Sequence, residues 1–400
     1  MPEQLSSINR RKFTKLFGVG AAYLAARPQL SVAEPAGFLL KTSVGHTGVV
    51  RLSSNENPYG PSRLAVRAMT DAFEIAWRYP DEHAETLIEM LAKHHDVKTE
   101  QILLGDGSGE ILKICASAFT GSMTNDTKPV ELARPTRGPA LTFIPGRGKM
   151  IVAEPTFEAI LNHARISRAE VVKVPLNAVF GHDLPTMRAA AVEGLIYVCN
   201  PNNPTASITP KEELRSFLVA CPPQTMVLVD EAYYHYADSP AYESVIPLVK
   251  QYPNLIVART FSKIYGMAGL RCGYCVAQPD VIRRLRPHQT WDSVNIMALA
   301  GAIASLNDSS QVANGRRLNA ETKAYVSEQL GKLGYKHIPS QANFVMVDMK
   351  RPVQPLIAAL RERQVQVGRL FPSLPNYMRV TIGKREEMET FLTNLAAVLS

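Results

Sequence analysis

The sequence predicts an α/β fold, in which a large domain with a mainly parallel seven-stranded sheet is joined to a smaller α+β domain. Seven short, mostly aliphatic runs lie between residues 101 and 277, with helical patterns between most of them. Runs that are apolar throughout are typical of strands buried on both faces, and alternation with helices indicates parallel connections. After about residue 290 the pattern turns helical and then predicts strands at 343–348 and 378–382. The seven runs are Gln101–Gly105, Met150–Glu154, Val171–Pro175, Leu195–Cys199, Met226–Asp230, Leu255–Arg259 and Cys272–Ala277.

Changes in composition along the chain predict its domain organisation. Residues 1–33 are predicted to be a signal peptide, and residues 34–79 an N-terminal arm with part of the small domain. The large domain is expected at 80–290 and the small C-terminal domain at 291–400. Residues 122–149 are rich in proline, glycine and arginine and resemble an insertion, which is long for a loop of a compact domain and therefore either functional or mobile.

Length and composition exclude several classes of protein. The chain has 400 residues, of which 46% are hydrophobic, so neither a disordered nor a collagen-like chain is expected. No apolar run approaches the ~20 residues that a membrane-spanning helix needs, and five cysteines are too few for a disulfide framework. Most of the net charge of +8 comes from residues 1–33 and 122–150, so no basic stripe remains for nucleic acid. We therefore expect neither a nucleic-acid nor a membrane partner once the leader is removed.

The amino terminus resembles an export signal. Arg10 and Arg11 precede an apolar run at 16–26, and small residues at 31–33 resemble a peptidase site. Paired arginines of this kind are typical of twin-arginine signals. We therefore predict a periplasmic or secreted protein. The alternative is an amphipathic first helix with a basic cap, and a leader that does not function would leave the protein in the cytoplasm.

The segment that follows the sixth predicted strand carries the strongest chemical signal. Lys263 is flanked there by hydroxyl residues and glycines, and Arg271 follows eight residues later. A lysine at the mouth of a buried sheet is costly unless it is paired or used, and such sites lower its pKa and make it a carbonyl nucleophile. The hydroxyls and Arg271 would suit a phosphate. The alternative is a surface loop with a solvated lysine, and spacing alone does not decide between the two.

Three other predicted strand ends carry polar or glycine-rich turns. Asp230 ends one strand, and an acid at the C-terminal edge of a parallel sheet lies where α/β proteins bind ligands. Residues 104–110 lead from a strand into a helix, and their glycines would let backbone N–H groups approach a phosphate. Residues 199–205 form a polar turn with two prolines. Each of these segments, taken alone, also fits an ordinary turn or helix cap.

These segments and three others occur together in a fixed order. In this combination the chain, from about residue 50 to its end, resembles the fold-type-I pyridoxal-phosphate aminotransferases of classes I and II, and within them the histidinol-phosphate aminotransferase-like branch. The motifs that carry the resemblance are Asn55-Glu56-Asn57-Pro58-Tyr59-Gly60-Pro61, Arg78-Tyr79-Pro80-Asp81, Gly107-Ser108-Gly109-Glu110, Asn202-Asn203-Pro204-Thr205, Asp230-Glu231-Ala232-Tyr233, Ser262-Lys263 with Arg271, and Arg379-Val380-Thr381-Ile382-Gly383.

The resemblance implies a pyridoxal 5'-phosphate cofactor and assigns residues to it. Lys263 would form the internal Schiff base and carry the α-proton, and Asp230 would keep the pyridine nitrogen protonated. Asn203 and Tyr233 would bond the phenolate oxygen of the ring, and Phe157 would stack on its face. The phosphate would be held by Ser108, Gly109, Thr260, Ser262 and Arg271.

The resemblance also implies a substrate pocket and a second subunit. Arg379 would clamp the substrate carboxylate through a bidentate pair, with Asn343 and Tyr59 lining the same pocket. Tyr79 would reach the phosphate of the neighbouring subunit, which implies a homodimer with shared active sites. Arg369 would bind a second anionic group of the substrate, or else form a surface salt bridge. The sequence does not decide between these two interpretations.

Two features depart from the pattern that the resemblance implies. Ala206 stands after the Asn-Pro-Thr motif where glycine is usual, and a methyl group there calls for a negative φ, so we expect a different local turn. An export signal is also unexpected in a relative of a cytoplasmic biosynthetic enzyme. It favours a dedicated periplasmic amine chemistry.

The predicted function is therefore transfer of an amino group between an L-amino acid or amino phosphate, histidinol-phosphate-like or aromatic, and a 2-oxo acid by a ping-pong Schiff-base mechanism. The alternatives are a pyridoxal-phosphate-dependent decarboxylase, lyase or cyclase on the same scaffold, and a non-catalytic protein that binds the cofactor. No metal is expected. The histidines lack ligand spacing, Cys272 and Cys275 would face opposite sides of a strand, and His94 and His95 indicate a solvated helix end.

Overall fold

The computed structural model describes residues 48–124, 128–132 and 141–400. The leader predicted at 1–33 lies outside them, as does part of the insertion predicted at 122–149. Val49–Ser400 form one compact unit. Among the described residues, no helix is both long and apolar enough to cross a membrane.

Each of the nine runs predicted as strands forms a strand, with ends that differ by one residue at most. The strands are β1 (Val50–Leu52), β2 (Ile102–Gly105), β3 (Val130–Glu131), β4 (Thr142–Phe143), β5 (Lys149–Glu154), β6 (Val171–Pro175), β7 (Gly194–Cys199), β8 (Thr225–Asp230), β9 (Leu255–Thr260), β10 (Gly273–Ala277), β11 (Lys336–Ile338), β12 (Phe344–Asp348), β13 (Val365–Val367) and β14 (Tyr377–Thr381).

Helices fill most of the intervals between the strands of the large sheet. The α-helices are α1 (Arg63–Asp71), α2 (Asp81–His95), α3 (Gly107–Phe119), α4 (Ala159–Ile166), α5 (Leu184–Ala189), α6 (Lys211–Ala220), α7 (Pro279–Leu285), α8 (Ile296–Asn307), α9 (Ser309–Lys332), α10 (Gln354–Glu362) and α11 (Arg385–Leu399). Short 3₁₀ helices lie at Ala72–Ile75, Thr99–Gln101, Tyr234–Tyr236, Ile246–Lys250, Ala268–Leu270 and Arg286–His288.

The large sheet has seven strands in the order β2-β10-β9-β8-β7-β5-β6, and only β10 runs antiparallel to its neighbours. The connection from β9 to β10 contains only the 3₁₀ helix Ala268–Leu270 and lacks the α-helix that usually forms a parallel crossover. The chain therefore turns back beside β9. This confirms the predicted mainly parallel seven-stranded sheet.

Apolar residues cover both faces of this sheet. Along β7, Leu195 and Tyr197 belong to one buried cluster, and Ile196 and Val198 belong to the other. This alternation follows from the two-residue period of a strand. Cys272 and Cys275 likewise lie in opposite clusters, as expected, and the described residues contain no group of metal ligands.

The C-terminal part of the chain has a second core. The antiparallel sheet β11-β12-β14 and the parallel pair β1-β13 share a buried cluster that includes Leu52, Val345 and Phe391. Strand β1 thus belongs to the C-terminal core. Helix α8 packs instead in the core of the large sheet through Ala298 and Leu299. The domain boundary predicted near residue 290 stays a prediction.

The described parts of the predicted insertion contain a short antiparallel pair, β3 and β4. At its edge, His288 Nε2 lies 3.2 Å from the backbone oxygen of Ile144.

The expectation of a solvated pair at His94 and His95 is wrong for His95. Its Nε2 forms a 2.8 Å hydrogen bond with the Tyr274 hydroxyl, and burial lowers the pKa of His95 to about 3.

Candidate active site

A cavity of about 510 Å³ opens at the edge of the large sheet where β7, β8 and β9 end. Cys199 is paired in register with Asp230, and Asp230 with Ala258, so the three parallel strands end side by side. The carboxyl edge of a parallel sheet is where α/β proteins place ligands, because polar loops leave the strands there. Residues of β14 and of the loop that follows β13 also line this cavity.

Lys263 lies on the loop after β9 and points into this cavity. Its Nζ donates to the backbone oxygen of Asn55 at 3.1 Å and lies 5.4 Å from the centre of the Tyr233 ring. Burial, followed by repulsion from Arg379, lowers the pKa of Lys263 to about 8. A substantial fraction of the amine is therefore neutral near pH 8, which is the form that attacks a carbonyl and accepts a proton.

Asp230 is a buried carboxylate at the end of β8. The Tyr197 hydroxyl donates to its Oδ2 at 2.9 Å, and the Ala232 N–H donates to its Oδ1 at 3.1 Å. Burial raises the pKa of Asp230 to about 6, although both hydrogen bonds oppose the shift. Because an isolated buried charge is unfavourable, this side chain suits a cationic N–H group of a ligand.

A chain of hydrogen bonds connects the cavity floor to β14. Asn55 Nδ2 donates to the Tyr233 hydroxyl at 3.0 Å, and Asn203 Nδ2 donates to the same hydroxyl at 3.4 Å. Arg379 donates to Asn203 Oδ1 at 2.8 Å and to the backbone oxygen of Ser53 at 2.5 Å. Burial lowers the pKa of Arg379, and its buried Nε has no hydrogen-bond partner among the described residues. Each terminal nitrogen of Arg379 carries a second N–H, so this guanidinium retains donors for a ligand in the cavity that it lines.

The opposite side of the cavity is built to hold an anion. The Arg271 guanidinium donates to the Ser262 hydroxyl at 3.4 Å and lies against Gly107, where a Cβ atom would come within 2.2 Å of Nη2. Gly107 also has a φ of +72°, which favours glycine. Ser108 and Gly109 form the first turn of α3, whose N–H groups have no partner within the helix. A helix N-terminus with an arginine and a hydroxyl suits a phosphate.

The mouth of the cavity carries an ion pair and aromatic rings. Arg369 Nη2 lies 2.5 Å from Glu158 Oε2, and its guanidinium carbon lies 4.3 Å from the centre of the Phe371 ring. Phe157, the residue before Glu158, is 39% exposed and lines the cavity. Arg369 thus forms a salt bridge, which is one of the two interpretations of this residue. It also lines the cavity, as the other interpretation, a contact with a second anionic group of the substrate, requires.

Comparison with known proteins identifies the family. The model of the family described as aminotransferase class I and II matches residues 47–395. The histidinol-phosphate aminotransferases of Moorella thermoacetica and Bacillus subtilis strain 168 are 37% and 35% identical, over 90% of this chain in both cases and over 88% and 94% of their own. The chain belongs to the class I and II aminotransferases. The resemblance inferred from the motifs is confirmed.

Solved structures agree with the fold of this aminotransferase. A putative histidinol-phosphate aminotransferase from Erwinia carotovora atroseptica has a TM-score of 0.79 and 29% identity, over 87% of this chain and 95% of its own. The histidinol-phosphate aminotransferase of Sinorhizobium meliloti, solved with pyridoxal-5'-phosphate, has a TM-score of 0.77 over 88% of this chain and 91% of its own. The second shows the fold alone at 24% identity. The predicted fold type I is confirmed.

The aminotransferase brings most of the predicted site residues to one cavity. All except Arg379, which lies in the middle of β14, are on loops or at the ends of elements. Those that line the cavity are Ser108, Gly109, Phe157, Asn203, Asp230, Tyr233, Thr260, Ser262, Lys263, Arg271, Arg369 and Arg379. Their roles toward a cofactor or substrate stay predictions.

Three predicted residues do not line this cavity. Tyr79 is 80% exposed, which leaves its predicted contact with a second subunit as a prediction. Tyr59 was expected in the substrate pocket, but its hydroxyl lies beside Thr322 of α9, because the chain turns at Asn57 and Gly60. Asn343 is buried and donates to the backbone oxygens of Asn55 and Glu56 at 3.1 and 3.3 Å, so it supports the loop that carries Asn55.

Two residues that sequence reasoning missed hold predicted members of the site in place. Asn55 holds the Tyr233 hydroxyl, and Tyr197 holds Asp230. Tyr197 offered a signal, because a tyrosine inside a fully apolar strand needs a hydrogen-bond partner for its hydroxyl. Nothing in the motif around Asn55 shows its distant partner, which lies 178 positions away.

The expectation for Ala206 is wrong. Its φ is +59°, so the residue adopts the left-handed conformation that glycine would take at this position. The Ala206 N–H donates to the Asn202 oxygen at 2.8 Å, and the Ala206 oxygen accepts from the Gln341 N–H at 2.8 Å. These two bonds hold the turn despite the steric cost of the methyl group, which is about 1–2 kcal/mol.

We expect Asp230→Asn to stabilise the cofactor-free aminotransferase in a pH-dependent way. Burial raises the pKa of Asp230 to about 6 in the folded protein, so its charge destabilises the folded state above that pH and costs nothing once both states are protonated. The free energy of unfolding at pH 8 should therefore rise by about 1–3 kcal/mol, and the gain should fade as the pH falls toward about 4.

Chemical denaturation of the cofactor-free protein at pH 4.5 and pH 8 measures this difference. Asp238→Asn is the matched control, because Asp238 is an exposed aspartate and its substitution should change little at either pH. An equal gain for Asp230→Asn at both pH values would contradict the burial argument.

Proposed function

We propose that this aminotransferase binds pyridoxal 5'-phosphate in the cavity and moves an amino group between an L-amino acid or amino phosphate and a 2-oxo acid. The amino donor would be of the histidinol-phosphate or aromatic kind. The observation that carries the proposal is the convergence, within one cavity, of a lysine whose pKa is lowered to about 8, a buried aspartate and an anion-binding helix terminus.

The residues present fit this cofactor. The absence of a side chain at Gly107 lets the Arg271 guanidinium lie against the first turn of α3, and an arginine beside a helix N-terminus suits a phosphate. Asp230 is buried without a cationic partner in direct contact among the described residues. When bound, the cofactor supplies an electron sink for negative charge at the substrate α-carbon. Arg271, Ser262 and the first turn of α3 would hold its phosphate, and Asp230 would keep a proton on its ring nitrogen. Asn203 and Tyr233 would donate to its ring oxygen.

The remaining residues act on the substrate. Lys263, whose Nζ is partly neutral near pH 8, would take the proton from the α-carbon and return it at the adjacent position. Arg379, held in place by Asn203 and Ser53, would bind the anionic group of the substrate through the N–H groups of its terminal nitrogens that these two bonds leave free. Both halves of the reaction would use the same two side chains.

The first experiment is the visible absorption spectrum of the cofactor-loaded protein. We add L-histidinol phosphate, L-glutamate and aromatic L-amino acids one at a time, followed by a 2-oxo acid. At least one donor should bleach the visible band, and the 2-oxo acid should restore it, because an amino group moves to the cofactor and back. Lys263→Ala should bind the cofactor but lose this cycle by a factor of about 100 or more, since it lacks the general base.

Other outcomes of this experiment exclude the proposal in different ways. A band that no donor bleaches would favour a decarboxylase, lyase or cyclase. A protein that shows no band after the cofactor is supplied would contradict the cofactor assignment itself. A Lys263→Ala protein that still cycles at the rate of the wild type would contradict the role of Lys263.

We further propose that the enzyme is a homodimer. Phe73, Trp77 and Tyr79 are 65%, 74% and 80% exposed, and they form a run of large aromatic residues that water would solvate poorly. If a second copy covers this surface, Tyr79 of one chain would reach the phosphate site of the other chain. This arrangement accounts for the position of Tyr79 outside the cavity of the chain to which it belongs.

Light scattering should give twice the mass of one chain. Trp77→Glu should shift the protein toward the monomer and lower its affinity for the cofactor, because a buried carboxylate is unfavourable and Tyr79 is lost from the shared site. Val219→Glu is the matched control, since Val219 is 71% exposed on α6 and lies outside the aromatic surface. A monomeric wild-type protein with full activity would contradict the proposal.

We also propose export by the twin-arginine route, on the pattern of residues 1–33. Replacement of both Arg10 and Arg11 by lysine should keep the protein in the cytoplasm of the expressing cell, and cell fractionation measures this. Amino-terminal sequencing of the exported wild-type protein should begin near residue 34. Export that is unaffected by the double substitution would contradict this route.

A further inference from the structure

The charged lining of the cavity contains one acidic side chain that the proposed mechanism does not use. If the proposed function holds, Lys263, Arg271 and Asp230 serve the cofactor. That leaves two cations and one carboxylate for the substrate. The charged residues that line the cavity in the described part of the chain are Lys263, Arg271, Arg369, Arg379, Asp230 and Glu158.

The unused carboxylate belongs to Glu158, which stands at the start of α4. At this position a side chain often caps the helix by accepting from its free N–H groups, but Glu158 makes no such bond. Its carboxylate reaches instead to Arg369, 2.5 Å away and 211 positions later in the chain. The contact therefore directs Glu158 toward the cavity mouth at the expense of a local cap.

Arg369 and Arg379 are neighbours across one aromatic ring. The guanidinium carbons of Arg369 and Arg379 lie 4.3 and 5.3 Å from the centre of the Phe371 ring. Arg369 is also among the groups that lower the pKa of Arg379, after burial. A substrate with two anionic groups would therefore meet two arginines, but Arg369 already has the Glu158 carboxylate as its partner.

We propose that Glu158 is a specificity-determining residue, which neutralises Arg369 and so selects amino donors with a single anionic group and an otherwise uncharged side chain. The inference rests on the proposed function, because it assigns the other charged residues to the cofactor. Arg379 holds the single anionic group, while the rings of Phe157 and Phe371 face the uncharged remainder of the donor. A second carboxylate on the donor has to displace Glu158 from Arg369 and is repelled by it.

The test compares two unreactive ligands that differ by one carboxylate. Glutarate and pentanoate are titrated into the cofactor-loaded enzyme, and the shift of the visible band gives each dissociation constant. The wild-type enzyme should bind glutarate no more than about threefold tighter than pentanoate, since Arg369 is already paired. Glu158→Gln should bind glutarate about three- to tenfold tighter than the wild type and leave pentanoate unchanged, because Arg369 is released and a repulsive charge is removed.

Glu170→Gln is the matched control for the change in net charge. Glu170 pairs with Lys149 at 2.9 Å on the surface and does not line the cavity, so neither dissociation constant should change. Two amino donors, L-glutamate and L-phenylalanine, are compared in a second measurement by the rate at which each bleaches the visible band. Glu158→Gln should raise the rate with L-glutamate relative to L-phenylalanine by a factor similar to that for binding.

Two results would overturn the inference. One is a wild-type enzyme that binds glutarate more than about threefold tighter than pentanoate, and this result needs no variant. The other is a Glu158→Gln enzyme whose preference for glutarate over pentanoate rises less than about twofold. Failure of the proposed function is seen separately, because the wild-type enzyme would then not cycle with any amino donor.

Discussion

The parallel register of β7, β8 and β9 is the constraint on which the active site depends. It places the residues that end these strands along one edge, where Asp230 is held by Tyr197 of the neighbouring strand at 2.9 Å. Lys263 follows β9 on a loop that contains only a 3₁₀ helix, after which the chain returns as the antiparallel strand β10. The lysine therefore stays at the same edge. The chemistry of the site is therefore a consequence of strand order.

Burial sets the ionisation of the two central groups in opposite directions. It lowers the pKa of Lys263 to about 8 and raises that of Asp230 to about 6, so both charged forms are less favourable than in water. A fold that only needed stability would pair or replace these groups. Their position at one edge fits a site in which stability is given up for reactivity, as is common where function needs unpaired polar groups.

Nearby ionic groups that do not enter the cavity are paired instead. Glu231, the residue after Asp230, is fully buried and lies within 2.6 Å of Arg259, which also stacks on the Tyr234 ring at 3.7 Å. This pair joins the ends of β8 and β9 behind the site. Arg379, in contrast, does line the cavity, and its bonds to Asn203 and Ser53 tie β14 to the cavity floor. The C-terminal sheet thus supplies a cation that faces a cavity built by the large sheet.

The sequence by itself determined the strands of the large sheet and the family, and it named twelve residues that the structure brings to one cavity, because each of these is written in a short local pattern. Only the tertiary structure decided which residues meet across long separations. It placed Tyr59 beside α9, turned Asn343 toward a supporting loop, and brought Glu158 to Arg369. It also kept a left-handed turn at Ala206, since bonds to Asn202 and Gln341 outweigh the local preference of alanine. Local patterns fix backbone conformation and residue chemistry, whereas the partner of a side chain depends on how distant segments pack.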